Sequence, residues 1–170
     1  MKILEKVTGF LFHPSDAFNK VRDEKLKDAF KYILYLLLFN AVVTTILKKL
    51  KSPISIISAF LIAFISGLIG VFVWGLWMHF WLNLNYKEKR KETAQTLKVA
   101  VYSIMPSLIF GWIPYLGLLT GLWSFYLDAE GLKQLQEIPK EKAINVVTIS
   151  AIIPVILVVI VLFIRGNLKF

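Results

Sequence analysis

The sequence predicts an all-α, polytopic integral membrane protein with five transmembrane helices, and two observations lead to this class. Hydrophobic residues make up 57% of the 170-residue chain, against about 45–50% in soluble domains. They also occur in continuous blocks, several of which reach the roughly 20 residues that an α-helix needs to cross a bilayer. We therefore expect a single membrane domain over residues 1–170.

Residues 1–28 are too charged to cross a bilayer and are predicted to be an amphipathic segment on the cytoplasmic surface. Apolar residues between positions 3 and 11 fall on one helical face, so this first helix can lie in the membrane interface. Pro14 suits the first position of a second helix. In that helix Phe18 and Val21 face one way, and the charged residues face water.

Two long apolar blocks follow, at about 29–47 and 53–83. The second is longer than one crossing requires, so it must tilt or extend into the headgroup layer. Small residues recur at helical spacing in its first half, at Ala59, Ala63 and Gly67. This pattern predicts a face that packs against another helix.

The apolar block at 94–127 is too long for one crossing of a hydrocarbon layer about 30 Å thick. We expect two short spans, at about 94–110 and 113–127, joined by a tight turn at Pro114. Pro106 is expected to kink the third span, with its freed carbonyl groups satisfied by neighbouring helices.

The fourth span carries Gly117 and Gly121 in a GxxxG pattern, which predicts a close-packing face. A polar segment at 128–142 follows, and the last span is expected at about 143–164.

Positive charge predicts the orientation. With five spans and the N-terminus inside, three quarters of the 20 lysines and arginines fall on the cytoplasmic side. The positive-inside rule then places the N-terminus in the cytoplasm and the C-terminus outside the cytoplasmic membrane. A four-span path, with 94–127 as one crossing, satisfies the charge almost as well, so length alone favours five.

The five-span path also predicts a contact. Folding 94–127 as a hairpin about residue 113 brings Lys98 opposite Asp128 near the cytoplasmic mouth. We expect these two side chains to form an ion pair.

Short segments of the C-terminal half are similar, in their order and spacing, to one known family. They are AVYSIMP from Ala100, IPYLG from Ile113, WSFYL from Trp123, EGLK from Glu130 and KEKA from Lys140, with FHPSDAF from Phe12 near the N-terminus. The chain thus resembles the short prokaryotic form of the Yip (Ypt-interacting protein) family over nearly its whole length. The resemblance implies five membrane helices, a cytoplasmic N-terminus and no enzymatic activity.

Eukaryotic Yip proteins bind Rab-type GTPases and act in vesicle traffic. The sequence given lacks their long cytoplasmic N-terminal region and their Asp-Leu-Tyr-Gly-Pro motif. The resemblance therefore leaves GTPase binding doubtful for this chain.

The sequence offers no catalytic residue, metal site or cofactor site. It has no cysteine, no paired carboxylates within a span, and no HExxH, GxSxG or phosphate-binding glycine pattern. An enzyme is therefore not expected. Nucleic-acid binding is not expected either, because no supporting fold accompanies the basic charge.

We predict a non-catalytic membrane protein of Yip type that organises the membrane or binds protein or lipid partners at its cytoplasmic face. The sequence leaves its oligomeric state open. The alternative is a small-solute transporter or channel that uses the broken third span near Pro106. Basic side chains are expected to contact anionic lipid headgroups, at about 1 kcal/mol each. These are Lys20, Arg22, Lys87, Lys89, Arg90 and Lys91.

Overall fold

The computed structural model describes residues 2–49, 55–86 and 91–167. Within these ranges the chain forms eight α-helices and no β-strand, so the predicted all-α class is confirmed. The helices are α1 (Ile3–Phe12), α2 (Pro14–Val21), α3 (Leu26–Lys49), α4 (Ile56–Tyr86), α5 (Thr93–Ser103), α6 (Met105–Phe110), α7 (Leu116–Leu135) and α8 (Lys140–Asn167).

Three of these helices are long and apolar enough to cross a bilayer: α3 over Leu26–Leu47, α4 over Ile56–Tyr86 and α8 over Lys140–Ile164. Only 33% of the most apolar stretch of α3, and 11% of those of α4 and α8, is buried inside the protein. Such large exposed apolar surfaces are incompatible with water and fit a hydrocarbon environment. The chain is therefore a membrane protein.

The outer part of α8 shows this most clearly. From Val155 to Ile164 every side chain is between 47% and 70% exposed, so this half of the helix is bare on all sides. Nothing in the described part of the chain packs against it in the way that a soluble helix requires.

The predicted third span is divided into two helices. α5 ends at Ser103 and α6 begins at Met105, with Pro106 in the first turn of α6. Proline has no backbone N–H and its ring clashes with the carbonyl of the preceding turn, so it breaks the helix.

The predicted fourth span corresponds to α7, which has 20 residues and extends beyond residue 127 to Leu135. Its last turns carry Asp128, Glu130 and Lys133. Neither α7 nor α5 with α6 is a long, uniformly apolar helix, and five crossings therefore stay a prediction.

α5 and α6 form an antiparallel hairpin with α7. Two contacts define its register. A Cβ on Gly131 would lie 2.8 Å from Val99 Cγ1, and Ser107 Oγ lies 3.1 Å from Ser124 Oγ. The turn contains Tyr115 at a φ of 67°, a conformation that non-glycine residues rarely adopt. The hairpin is thus centred near residue 115 rather than residue 113.

This shift separates Lys98 from Asp128. In the observed register Lys98 lies opposite residues 132 and 133, about one helical turn beyond Asp128. The Lys98 amino group instead bonds to backbone carbonyls after α2, and Asp128 accepts a hydrogen bond of 2.9 Å from Trp74 Nε1. The expected ion pair does not form, because the turn lies about two residues later than expected.

The small residues of α4 lie in different environments. Ala59 is buried and Ala63 is half-buried. A Cβ on Gly67 would lie 2.6 Å from Leu37 Cδ2, so α3 and α4 approach closely at this glycine. Gly67 thus lies where α4 meets α3, as a helix-packing face would.

The GxxxG pattern of α7 is not a helix interface within the described residues. Gly121 is exposed, and a Cβ there would meet nothing within 4 Å. A Cβ on Gly117 would meet only the backbone of Gly111, at 3.1 Å. The expected close-packing role for this pair is therefore not seen in the contacts of the chain with itself.

α1 and α2 pack onto the helix bundle. Phe10 and Phe18 are fully buried, with ring centroids 4.8 Å apart, and Phe10 stacks on Tyr102 at 4.9 Å. The apolar face of α1 is therefore partly used inside the protein, whereas Leu4 and Phe12 stay 78% and 72% exposed.

The N-terminal helices lie at the same end of the bundle as two other polar parts of the chain. Arg22 of this region bonds to Glu137, and Lys91 forms an ion pair with Glu137 at 2.5 Å. We call this end, comprising residues 2–25, 91–98 and 128–142, the basal layer.

Candidate functional site

A buried charged cluster joins α1 to the start of α3 and to α5. Lys6 is only 5% exposed. Its Nζ donates to Glu24 Oε2 at 2.5 Å and to the hydroxyl of Tyr102 at 3.2 Å. The Tyr102 hydroxyl in turn donates to the same carboxylate oxygen at 2.6 Å. The cluster thus ties three helices together through one carboxylate.

The environment of Glu24 keeps it ionised. Burial alone would raise the pKa of its carboxyl, but the hydrogen bonds from Lys6 and Tyr102 and the positive charge of Lys6 together outweigh burial and lower the pKa. The negative charge therefore persists to a lower pH than in an ordinary glutamate.

Lys98 fixes the end of α2 to α5. Its buried amino group donates to the carbonyl oxygens of Val21, Arg22 and Glu24, at 3.3, 2.6 and 3.0 Å. The last carbonyls of a helix have no partner within the helix and carry a partial negative charge. At the connection between α2 and α3, Lys98 supplies these carbonyls with hydrogen-bond donors and with a positive charge.

A second cluster ties α2 to α7 through Glu130. Its Oε1 accepts hydrogen bonds from Ser15 Oγ at 2.7 Å, Gln134 Nε2 at 2.8 Å and Lys133 Nζ at 3.0 Å. Burial raises the pKa of Glu130, but the bonds from Gln134, Ser15 and Lys133 outweigh it and leave the pKa lowered.

A third cluster is centred on Gln136, which is fully buried. Its amide oxygen accepts from the backbone N–H of Lys91 at 2.6 Å, and its amide nitrogen donates to Glu92 O at 3.2 Å and Thr96 Oγ1 at 2.8 Å. The Thr96 hydroxyl also lies 3.0 Å from His79 Nδ1. These bonds hold the start of α5 against the end of α7.

A cleft of about 340 Å³ opens between α1 and the start of α3, beside the first cluster. Its lining combines charged and aromatic side chains with Ile3. They are Lys6, Glu24, Asp28, Lys31, Tyr32 and Tyr35. The described residues contain no group of three or more histidine or acidic side chains that could hold a metal ion. The charged and hydroxyl groups of the lining suit binding by charge and hydrogen bonds.

The surroundings of Pro106 are packed. Pro106 is buried, and the nearby carbonyl of Leu108 accepts a hydrogen bond of 2.9 Å from Asn40 Nδ2. Pro114 is exposed in the turn. A neighbouring helix thus supplies the partner for a carbonyl of the broken span, as interhelical packing requires.

The basic residues expected at lipid headgroups fall into three groups. Lys20 is exposed, whereas Arg22 and Lys91 are both engaged with Glu137. The other three, Lys87, Lys89 and Arg90, lie outside the described residues.

Sequence reasoning missed Lys6, Glu24, Tyr102 and Gln136 as parts of one polar layer. One signal was present for Lys6: it precedes Phe10 by four residues and so shares its helical face. Nothing in the sequence distinguishes the buried Gln136 from the polar residues beside it, the half-buried Gln134 and the exposed Glu137.

Comparison with protein families identifies the family to which this chain belongs. The family model described as the Yip1 domain matches residues 8–163. The chain belongs to the Yip1 domain family. The match extends from within α1 to the outer part of α8, so the basal layer of this Yip1 protein is largely inside the domain. Searches of curated proteins and of solved structures returned no match.

Proposed function

We propose that this Yip1 protein is a non-catalytic membrane protein that crosses the cytoplasmic membrane five times and binds protein or lipid partners through a cytoplasmic basal layer. The observation that carries the proposal is the basal layer itself. Three buried polar clusters hold α1, α2, α5 and α7 together there. A surface tied in this way presents its exposed side chains in fixed positions.

The order in which the helices pack supports five crossings. α5 with α6 forms one short leg and α7 the other, and each leg begins or ends in the basal layer. Successive legs also pack against each other, α3 on α4, α4 on α5, α5 on α7 and α7 on α8.

Exposed apolar side chains on α1 support partner binding. Leu4 and Phe12 protrude from a helix whose other face is buried, and Phe12 borders a groove of about 450 Å³ between α1 and α2. Lys20 lines the same groove. Glu5 and Asp16 line it as well, so apolar groups lie beside charges of both signs, an arrangement that suits an amphipathic partner or a lipid surface.

Single-cysteine labelling tests the topology, since the chain has no native cysteine. We expect Asp23→Cys and Glu137→Cys to resist a membrane-impermeant maleimide in intact cells and to react after permeabilisation. Tyr115→Cys, in the exposed turn, should react in intact cells. Labelling of Tyr115→Cys only after permeabilisation would refute the five-span path.

Photo-crosslinking tests partner binding. A photoreactive amino acid at Phe12 should yield a reproducible protein or lipid adduct, and one at Tyr115 serves as the control on the opposite end. Identical adducts at both positions would contradict a partner surface on the basal layer. The transport alternative makes a separate prediction: solute flux in liposomes that Ser107→Ala abolishes would overturn the non-catalytic binding role.

A further inference from the structure

The cleft between α1 and α3 carries both signs of charge in equal number. Lys6 and Lys31 are opposed by Glu24 and Asp28. A ligand with a single negative charge would meet as much repulsion as attraction in this cleft, whereas a zwitterion can match each charge with its opposite. The balance of charge therefore favours a zwitterionic ligand.

Several polar groups of the cleft have unused bonding capacity. Both hydrogen bonds to Glu24 fall on Oε2, so Oε1 receives none from the described residues. Lys31 Nζ is 3.9 Å from Asp28 Oδ1 and its side chain is 63% exposed, too distant for a hydrogen bond. Lys6 uses two of its three N–H donors. Donors and acceptors are thus available side by side.

Tyr32 gives an independent indication of a ligand. It lines the cleft and is only 3% exposed, yet its hydroxyl has no hydrogen-bond partner among the described residues. Buried hydroxyl groups are nearly always bonded, so the Tyr32 hydroxyl is a donor for which a ligand in the cleft would supply the acceptor.

The position of the cleft along α3 matches the membrane boundary. From Asp28 to Tyr35 the helix rises about 10 Å, enough to cross a headgroup layer of about 5–8 Å. Below the charged residues, Tyr35, Leu38 and Phe39 are exposed and apolar. A ligand whose polar part lies beside Asp28 and Lys31 would therefore place the rest of its length along the apolar surface of α3.

We infer that this cleft binds the headgroup of a zwitterionic phospholipid with a primary ammonium group. Lys6 and Lys31 contact the phosphate, Glu24 and Asp28 accept hydrogen bonds from the ammonium, and the acyl chains lie along α3. A quaternary ammonium group has no N–H to donate and prefers aromatic faces, so it fits the two carboxylates less well. The inference depends on the proposed location of the start of α3 at the membrane surface.

Lipid binding to the purified full-length protein tests this. We would titrate the protein in detergent with phosphatidylethanolamine, phosphatidylcholine or phosphatidylglycerol and count bound lipids by native mass spectrometry. We expect phosphatidylethanolamine to bind most tightly. Lys31→Ala should weaken its binding by up to about fivefold, the upper end of the range for an exposed ion pair, and Asp28→Asn should act similarly.

Lys27→Ala is the matched control, because Lys27 is an exposed lysine one turn before Lys31 on α3 and does not line the cleft. Its binding should equal that of the unaltered protein. Circular dichroism and elution volume should be the same for all variants, since these side chains are exposed.

Three results would overturn the inference. They are tighter binding of phosphatidylglycerol, equal effects of Lys31→Ala and Lys27→Ala, and binding of soluble glycerophosphoethanolamine as tight as that of the lipid. The last would show that the cleft binds the free headgroup compound. Cysteine labelling reports the topology whatever the lipid result, so failure of the five-span proposal is seen separately.

Discussion

Lys98 is the residue at which the architecture of the basal layer is most directly tested. Replacing it with methionine keeps the length and apolar stem of the side chain but removes the amino group and its three bonds to carbonyl oxygens. The carbonyls of Arg22 and Glu24 would then lose this partner, whereas the carbonyl of Val21 keeps its hydrogen bond from the N–H of Glu24. The end of α2 would also lose its link to α5.

The cost follows from the hydrogen bonds. A bond to a charged group contributes about 1.5–3 kcal/mol, and an orphaned buried acceptor costs about 1–3 kcal/mol. Part of this is offset because a buried ammonium no longer has to be desolvated. We therefore expect Lys98→Met to lower the free energy of unfolding by about 2–4 kcal/mol.

Two measurements separate this from a general effect. Unfolding in detergent should occur at a lower denaturant concentration, and trypsin should cleave faster after Arg22 and Lys25, because the α2–α3 connection is released. Lys133→Met is the control: Lys133 is a half-exposed lysine in a pair three residues apart, where a loss of less than about 1 kcal/mol is expected. Equal behaviour of the two variants would refute the anchoring role of Lys98.

Three further predictions concern other parts of the basal layer. Because the pKa of Glu24 is lower in the folded protein, its contribution to stability is present above the ordinary glutamate pKa and is lost as pH falls through the lowered value; Glu24→Gln should remove that part of the acid sensitivity, and an unchanged profile of tryptic protection against pH would contradict this. Gly131→Ala places a Cβ 2.7 Å from the ring of Phe18 and 2.8 Å from Val99 and should cost about 1–3 kcal/mol, whereas Gly121→Ala on the same helix, with open space around it, should be neutral or slightly stabilising in an unfolding assay; equal effects would show that α2 and α5 do not approach α7 so closely. Gln136→Leu leaves the N–H of Lys91 without its partner and should cost about 1–3 kcal/mol, and amide exchange at that N–H should accelerate; unchanged exchange would argue against the third cluster.

The all-α class and the long spans could be predicted because hydrophobic blocks depend on composition alone. A stretch such as Ile56–Tyr86 requires hydrocarbon whatever its neighbours are. The break at Pro106 was equally local, since proline cannot continue a helix without distortion.

Contacts between helices depend on the register in which the helices pair, and the sequence does not specify this register to within one helical turn. Tyr115 takes a left-handed conformation that is unusual for tyrosine, so the true centre of the hairpin had no glycine to mark it. An error of about two residues in the centre of an antiparallel hairpin shifts the position that faces a given residue by about four residues. The expected partner of Lys98 was therefore wrong.

Burial of polar residues was also beyond the sequence pattern. Trp74 and Trp77 lie in a long apolar block, yet their ring N–H groups donate to Asp128 and to the carbonyl of Ser150 inside the protein. Gly121 shows the reverse, because its motif predicts packing and its surroundings are open. In both cases the rotation of the helix about its axis decides whether the residue is buried or exposed, and tertiary contacts set this rotation.

The bare outer half of α8 has a consequence for how such a chain can change over time. Between Val155 and Ile164 no neighbouring side chain among the described residues constrains the shape of the side chain, so valine, leucine, isoleucine and phenylalanine are interchangeable there at little cost. Selection would act on that segment through its length and its freedom from charge, while at Gln136 it would act on the identity of the residue.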